Sequence, residues 1–174
     1  MKKLLTIAAV VMVAATTHAA AVGWSLMGAS AYANGKYDIF VIGMNGVTDA
    51  AQIATLVAAG TSVSSYAFYE GGSVTSGGMA TLSYTASGKT ITYSGSGTDS
   101  YQAFAVLWKS DGSEASYTSN ATISLANDST SKTFAFANQS SNLAANNFAV
   151  APEPTSGLLL LLGVAGLALK RKRA

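Results

Sequence analysis

Turn residues interrupt this chain about every ten positions, and that spacing limits the fold more than any other feature. Asn34-Gly35, Asn45-Gly46, Gly71-Gly72, Ala86-Ser87-Gly88, Asp111-Gly112 and Asn127-Asp128-Ser129 separate runs of apolar or alternating residues. Runs of that length suit short strands better than helices. Residues 22–32 read as an opening strand. Residues 36–44 and 101–109 are dense apolar runs fit for strands buried on both faces. Residues 64–70 form a further strand ending at Gly71-Gly72. Residues 79–85 and 89–94 flank Ala86-Ser87-Gly88 and predict a hairpin, with Leu82, Tyr84, Ile91 and Tyr93 alternating. Residues 116–125 and 132–137 continue the pattern.

One body segment breaks the strand rhythm. Over residues 48–59, Ile53, Leu56 and Val57 share a helical face, Thr48 is placed to cap, Asp49 complements the dipole and Gly60 ends the run. The expected fold is mainly β, a single β-sandwich-like domain with one short helix over residues 20–137. Residues 138–147 are rich in Asn and Ser with little periodicity, so 138–150 reads as a polar stalk.

The sequence has no cysteine, which excludes a disulfide framework, a thiolate nucleophile and a cysteine metal site. The formal charge of +2 comes from the ends. Between Ala20 and Ala151 four lysines face seven carboxylates, a net −3. Such a body has no phosphate-tracking surface, so nucleic acid is not among the expected partners.

Residues 1–19 have the layout of a secretory signal peptide. Lys2 and Lys3 precede an apolar stretch over 4–15, followed by small residues that place cleavage after Ala19, with Ala21 as the second choice. His18 is the single histidine and leaves with that peptide, taking the ordinary general base with it.

No familiar catalytic pattern lies between the ends. Ser94-Gly95-Ser96-Gly97 lacks the strand-to-helix setting of a phosphate loop. Asp111-Gly112-Ser113-Glu114 offers two carboxylates but not the ligand density of a calcium loop. Asp38, Glu70, Asp99 and Glu114 are the acids a glycosidase would need in pairs, and they read more simply as charges beside turns. Asn120, Asn127 and Asn138 match a glycosylation acceptor pattern that turn chemistry accounts for equally. Trp24, Trp108 and Tyr32, Tyr66, Tyr69, Tyr84, Tyr93 and Tyr101 would stack on sugar rings if they face outward, although at strand spacing they more often pack inward. No cofactor or metal site is expected.

The last 24 residues have three distinct parts. Pro152-Glu153-Pro154 contains the chain's two prolines and should be an extended, peptidase-accessible ribbon. An uncharged apolar run follows, expected to form a transmembrane helix over about 155–169. Its core, 157–169, spans about 20 Å at 1.5 Å per residue, short of the roughly 30 Å hydrocarbon layer. Lys170, Arg171, Lys172 and Arg173 then form a basic cluster that holds the C-terminus in the cytoplasm.

In order and position these parts closely resemble the PEP-CTERM sorting segment of Gram-negative bacteria. The resemblance covers only residues 151–174, and the bodies of that family are diverse, so it implies nothing about the fold or an active site upstream. It implies transient recognition by an exosortase, a membrane-embedded cysteine-dependent peptidase-transferase, with processing near Pro152, Glu153 and Pro154. The expected course uses signal peptidase and the export machinery, then an inner-membrane-tethered precursor, then the cell surface or an extracellular matrix. The expected role is non-enzymatic, structural or adhesive. The alternative is a carbohydrate-binding module of an exopolysaccharide matrix, and a secreted hydrolase is a third, weaker reading.

Overall fold

The computed structural model describes residues 17–95 and 97–151. Among these the chain is mainly β, with two sheets. The strands are β1 (His18–Leu26), β2 (Lys36–Val41), β3 (Tyr69–Ser73), β4 (Ala80–Leu82), β5 (Lys89–Tyr93), β6 (Thr98–Trp108), β7 (Glu114–Tyr117), β8 (Ala121–Ala126), β9 (Ser131–Phe136) and β10 (Phe148–Ala149). Among the described residues three helices occur, α1 (Ala50–Ala58), α2 (Tyr84–Ser87) and α3 (Ser140–Ala145), where one was expected in the body.

Each sheet is built on one long strand. In the first, β1 has β4 and β5 end to end along one edge, both antiparallel, and β9 parallel along the other. In the second, β6 has β7 and β8 in succession on one edge and β2 on the other; β3 follows β2 and β10 follows β7. Alternation decides what each face buries. Trp24, Leu26, Ile91 and Phe134 of the first sheet share one apolar cluster with Ile39, Ala105, Leu107 and Leu125 of the second. The opposite parity of β2 and β6 presents Phe40, Phe104 and Val106 to Ile53 and Val57 of α1 in a second cluster. Both dense runs are therefore buried on both faces, as their composition predicts.

α1 starts one residue later than expected. Asp49, not Thr48, is the cap: its Oδ1 accepts from the Gln52 amide at 2.8 Å. Gln52 Oε1 in turn accepts from the backbone N–H of Thr48 at 2.8 Å. The expected hairpin at 86–88 is not formed. From Val22↔Lys89 to Trp24↔Leu82, β1 advances two residues while its partner moves seven. The five surplus residues loop out as α2, and Tyr84 becomes a surface residue. Gly23 lies beneath this loop. A Cβ there would meet Tyr84 N, Leu82 O and Ser83 C at 2.5–2.8 Å. The opening strand also stops short of 32, at Leu26, because residues 30–32 wind into a 3-10 turn.

Two further expectations change. Strand β3 runs through Gly71-Gly72 instead of ending there, because Gly72 leaves space for the Tyr37 ring. Residues 138–150 do not stand off as a stalk. They form α3 and β10, with Leu143 in the first cluster and Phe148 and Val150 against the second. The polar side chains of this segment are bonded inward. Gln139 Oε1 accepts from the Ser119 amide at 2.9 Å, and Asn146 Nδ2 donates to Tyr117 O at 3.1 Å.

Candidate functional site

Strand alternation puts Lys36 and Asp38 on the same face of β2, the face that α1 covers. Register places Trp108 of β6 directly opposite Lys36. The Lys36 ammonium lies 5.0 Å from the centre of the Trp108 ring, a cation–π contact. After α1 the chain turns back over this face. Val57 and Val63 wall a cleft of about 230 Å³, and Thr61, Ser62 and Ser64 supply its rim.

Among the described residues Asp38 is the only carboxylate lining this cleft. It is half-buried, and its Oδ1 accepts from the Gly71 amide at 2.8 Å. Burial pushes its carboxyl above the ordinary value, opposed by the Gly71 hydrogen bond and by Lys36, and assisted by Glu70. Glu70 is exposed and lies outside the cleft. The arrangement has one acid, one ammonium group and several hydroxyls around an indole. That set can hold a hydroxyl-bearing molecule by hydrogen bonds. It does not bring together the two carboxyl groups that glycoside hydrolysis uses.

The other acids serve turns and pairs. Asp99 Oδ2 accepts from Ser94 N and Oγ, each at 3.0 Å, so the Ser-Gly loop closes on a carboxylate that would repel phosphate. Asp111 Oδ1 accepts from Ser113 N at 3.0 Å and Ser113 Oγ at 2.8 Å, which holds its carboxyl below the ordinary range. Glu114 Oε2 takes a hydrogen bond from Asn147 at 2.9 Å and an ion pair from Lys109 at 2.5 Å, and both lower its carboxyl. Asn138, with φ +52, turns the chain into α3, and Asn120 lies next to Gln102.

Family models, characterised proteins and solved structures offer no match to this chain.

The aromatic residues do not form a platform. Trp24, Tyr32, Tyr37, Tyr93 and Trp108 are buried. Trp24 Nε1 donates to Tyr37 Oη at 3.0 Å, and Tyr69 packs on both rings at 4.5 and 6.3 Å. Tyr66 packs against the second cluster, and Tyr101 donates to Thr92 O at 3.2 Å. Tyr84 on α2 is the large exposed aromatic among the described residues. Cross-strand and core packing accounts for the rest.

Ala19 lies within β1, exposed and opposite Thr92, so the expected cleavage position falls inside that strand in the whole chain. His18 begins the strand, its ring 5.6 Å from that of Tyr93. Pro152, Glu153, Pro154, the expected transmembrane helix and Lys170, Arg171, Lys172 and Arg173 lie outside the described residues. No local pattern foretells the 60–64 loop closing over Lys36 and Asp38, because that closure depends on where α1 docks. The alternation of Lys36 and Asp38 on β2 was the one local signal for the pair.

Proposed function

We propose that this chain is an exported surface or extracellular-matrix protein whose C-terminal segment sorts it through an exosortase. The single observation that carries this reading is the order Pro152-Glu153-Pro154, apolar run, Lys170 to Arg173, at the end of the sequence. On this reading the apolar run is a temporary transmembrane helix, the basic cluster stays cytoplasmic and the body lies outside the inner membrane. The body is a β-sandwich cargo with a structural or adhesive role, not an enzyme.

The body's chemistry agrees with this role. Asp38, Asp99 and Asp111 accept from backbone amides, Glu114 pairs with Lys109, and among the described residues Asp38 is the one carboxylate lining the first cleft. Its stability rests on two apolar clusters, as a cysteine-free exported domain requires. Most of the large aromatics face inward, which favours the structural role over the alternative of a carbohydrate-binding module that stacks sugars on exposed rings.

The test is to replace Pro152, Glu153 and Pro154 together by alanine and follow size and location in cells. The expected outcome is a precursor that keeps its tail and stays in the membrane fraction. Normal maturation and release of the triple variant would overturn the sorting reading. Mass analysis of the C-terminus of the mature wild-type protein then locates the cut.

A further inference from the structure

A second cavity, of about 300 Å³, lies between the 3-10 turn Ser30–Tyr32 and α3. Its floor is Tyr32 and Leu143, each 2% exposed, and Ser30, Ser140, Lys109 and Asn147 edge it. Tyr32 Oη is the one buried side-chain polar atom, among the described residues, without a well-formed hydrogen bond, although the Ser116 and Asn147 side chains lie close enough to act on it. Buried hydroxyls are nearly always paired, so one at a cavity wall whose two neighbours in the chain close no full hydrogen bond leaves room for a group from outside to complete it.

The surrounding charges narrow what that group is. Lys109 is neutralised by Glu114 at 2.5 Å, and Glu114 also takes a hydrogen bond from Asn147 at 2.9 Å. Asp111 adds negative charge next to Lys109. An anion entering here meets two carboxylates, and a cation meets the lysine. What remains is neutral hydrogen bonding: the Tyr32 hydroxyl, the Ser30 and Ser140 hydroxyls, the Asn147 amide and the remaining Lys109 protons, above the apolar Leu143 and Ala144. Burial, the largest influence, raises the Tyr32 phenol above its ordinary value, so it enters as an O–H donor at neutral pH. The volume is at the lower end of the roughly 300–1,000 Å³ of small-molecule sites. That volume accommodates a single ring.

We propose that this cavity binds a small neutral polyol the size of a single sugar ring, anchored by the Tyr32 hydroxyl. A ring with hydroxyls on its edge and C–H groups on its face matches both the polar rim and the Leu143–Ala144 floor. This inference does not depend on the sorting reading, and either can fail without the other.

The test uses the whole chain in a detergent without a sugar headgroup, with the alanine and leucine methyl groups labelled for NMR. D-Glucose, D-galactose, N-acetylglucosamine and myo-inositol are the neutral probes; glucuronate and glucosamine are the charged ones. At least one neutral probe should shift the Leu143 and Ala144 methyls, half-saturating at about 1–10 mM as expected for about a dozen heavy atoms. The charged probes should bind more weakly. Tyr32→Phe, which keeps the ring and the packing, should weaken binding about tenfold, with methyl signals elsewhere unchanged. Three results would overturn the proposal: no shift with any neutral probe at ten times that concentration, an equal response in Tyr32→Phe, or preference for a charged probe. The first two would assign the hydroxyl to water alone.

Discussion

Gly23 shows how a single residue without a side chain fixes a local topology. It lies in the middle of β1, where α2 bulges out between β4 and β5. Three backbone atoms would lie within 2.8 Å of an added methyl group, and none belongs to a flexible side chain that could move aside. Gly23→Ala should therefore lower the unfolding free energy by at least about 1–3 kcal/mol, the usual range for overpacking a core. Urea denaturation followed by tryptophan fluorescence reads this directly, since Trp24 is the next residue. Asp38 gives the opposite sign. Its folded carboxyl titrates above its ordinary value because of burial, so the fold binds more protons than the unfolded chain in the window just above pH 4. Its contribution to stability is full below the unfolded value and is lost as pH rises through the folded one. Asp38→Asn keeps an oxygen to accept from Gly71 and removes the charge. The denaturation midpoint at pH 7 minus that at pH 4 should be more positive in this variant than in the wild type, since the contribution lost on raising the pH is removed. An unchanged gap would mean that Asp38 titrates normally.

At the level of elements, Gln139 controls whether α3 stays on the body. It is 3% exposed, and its side chain accepts from Ser119 N and Oγ while its amide donates to Ala137 O at 2.9 Å. Gln139→Ala leaves the Ser119 amide and the Ala137 carbonyl without these partners. The expected loss is about 2–3 kcal/mol, with hydrogen exchange of the α3 amides rising before that of β6. This element also marks where the sequence stopped being informative. β2, β6 and α1 were legible because a run buried on both faces and a capped helix carry their own local patterns. α3 was not, because in its polar segment only Leu143 enters the first core and its other ties are hydrogen bonds with β7, distant in sequence. Of the expected hairpin turn at 86–88 only Gly88, at φ +61, behaves as a chain-reversing residue; residues 86 and 87 lie in α2, and turn chemistry does not say which strand the flanks join. They join β1, more than fifty residues earlier. The sites follow the same rule. Asp38 and Tyr32 were visible as residue types, whereas the clefts around them come from the docking of α1 and α3.

At the scale of the whole molecule, docking of 138–150 removes the spacer that a stalk would have supplied. The backbone N–H of Val150 donates to Ser113 O at 3.0 Å, and that of Ala151 donates to Ala58 O at 3.0 Å. The next residue is Pro152. On the proposed sorting reading, a membrane-embedded peptidase must therefore engage a motif that starts where the folded body ends. β10 has only two residues, and short terminal elements open most readily, so the body can yield a few residues of reach by releasing it. Releasing β10 exposes Phe148 and Val150, which pack on the second cluster, and that cost should slow processing. An insertion of about six Gly and Ser residues between Ala151 and Pro152 adds roughly 12–15 Å of flexible reach without disturbing β10. The expected result is several-fold faster loss of the tail in a pulse–chase experiment, with the same mature body and the same dependence on Pro152, Glu153 and Pro154. A second variant separates reach from loosening: Phe148→Ala, which weakens the β10 contact and adds no length, should also speed processing, but less. If neither variant changes the rate, the closeness of the fold to the motif does not limit sorting, and the membrane step itself sets the pace.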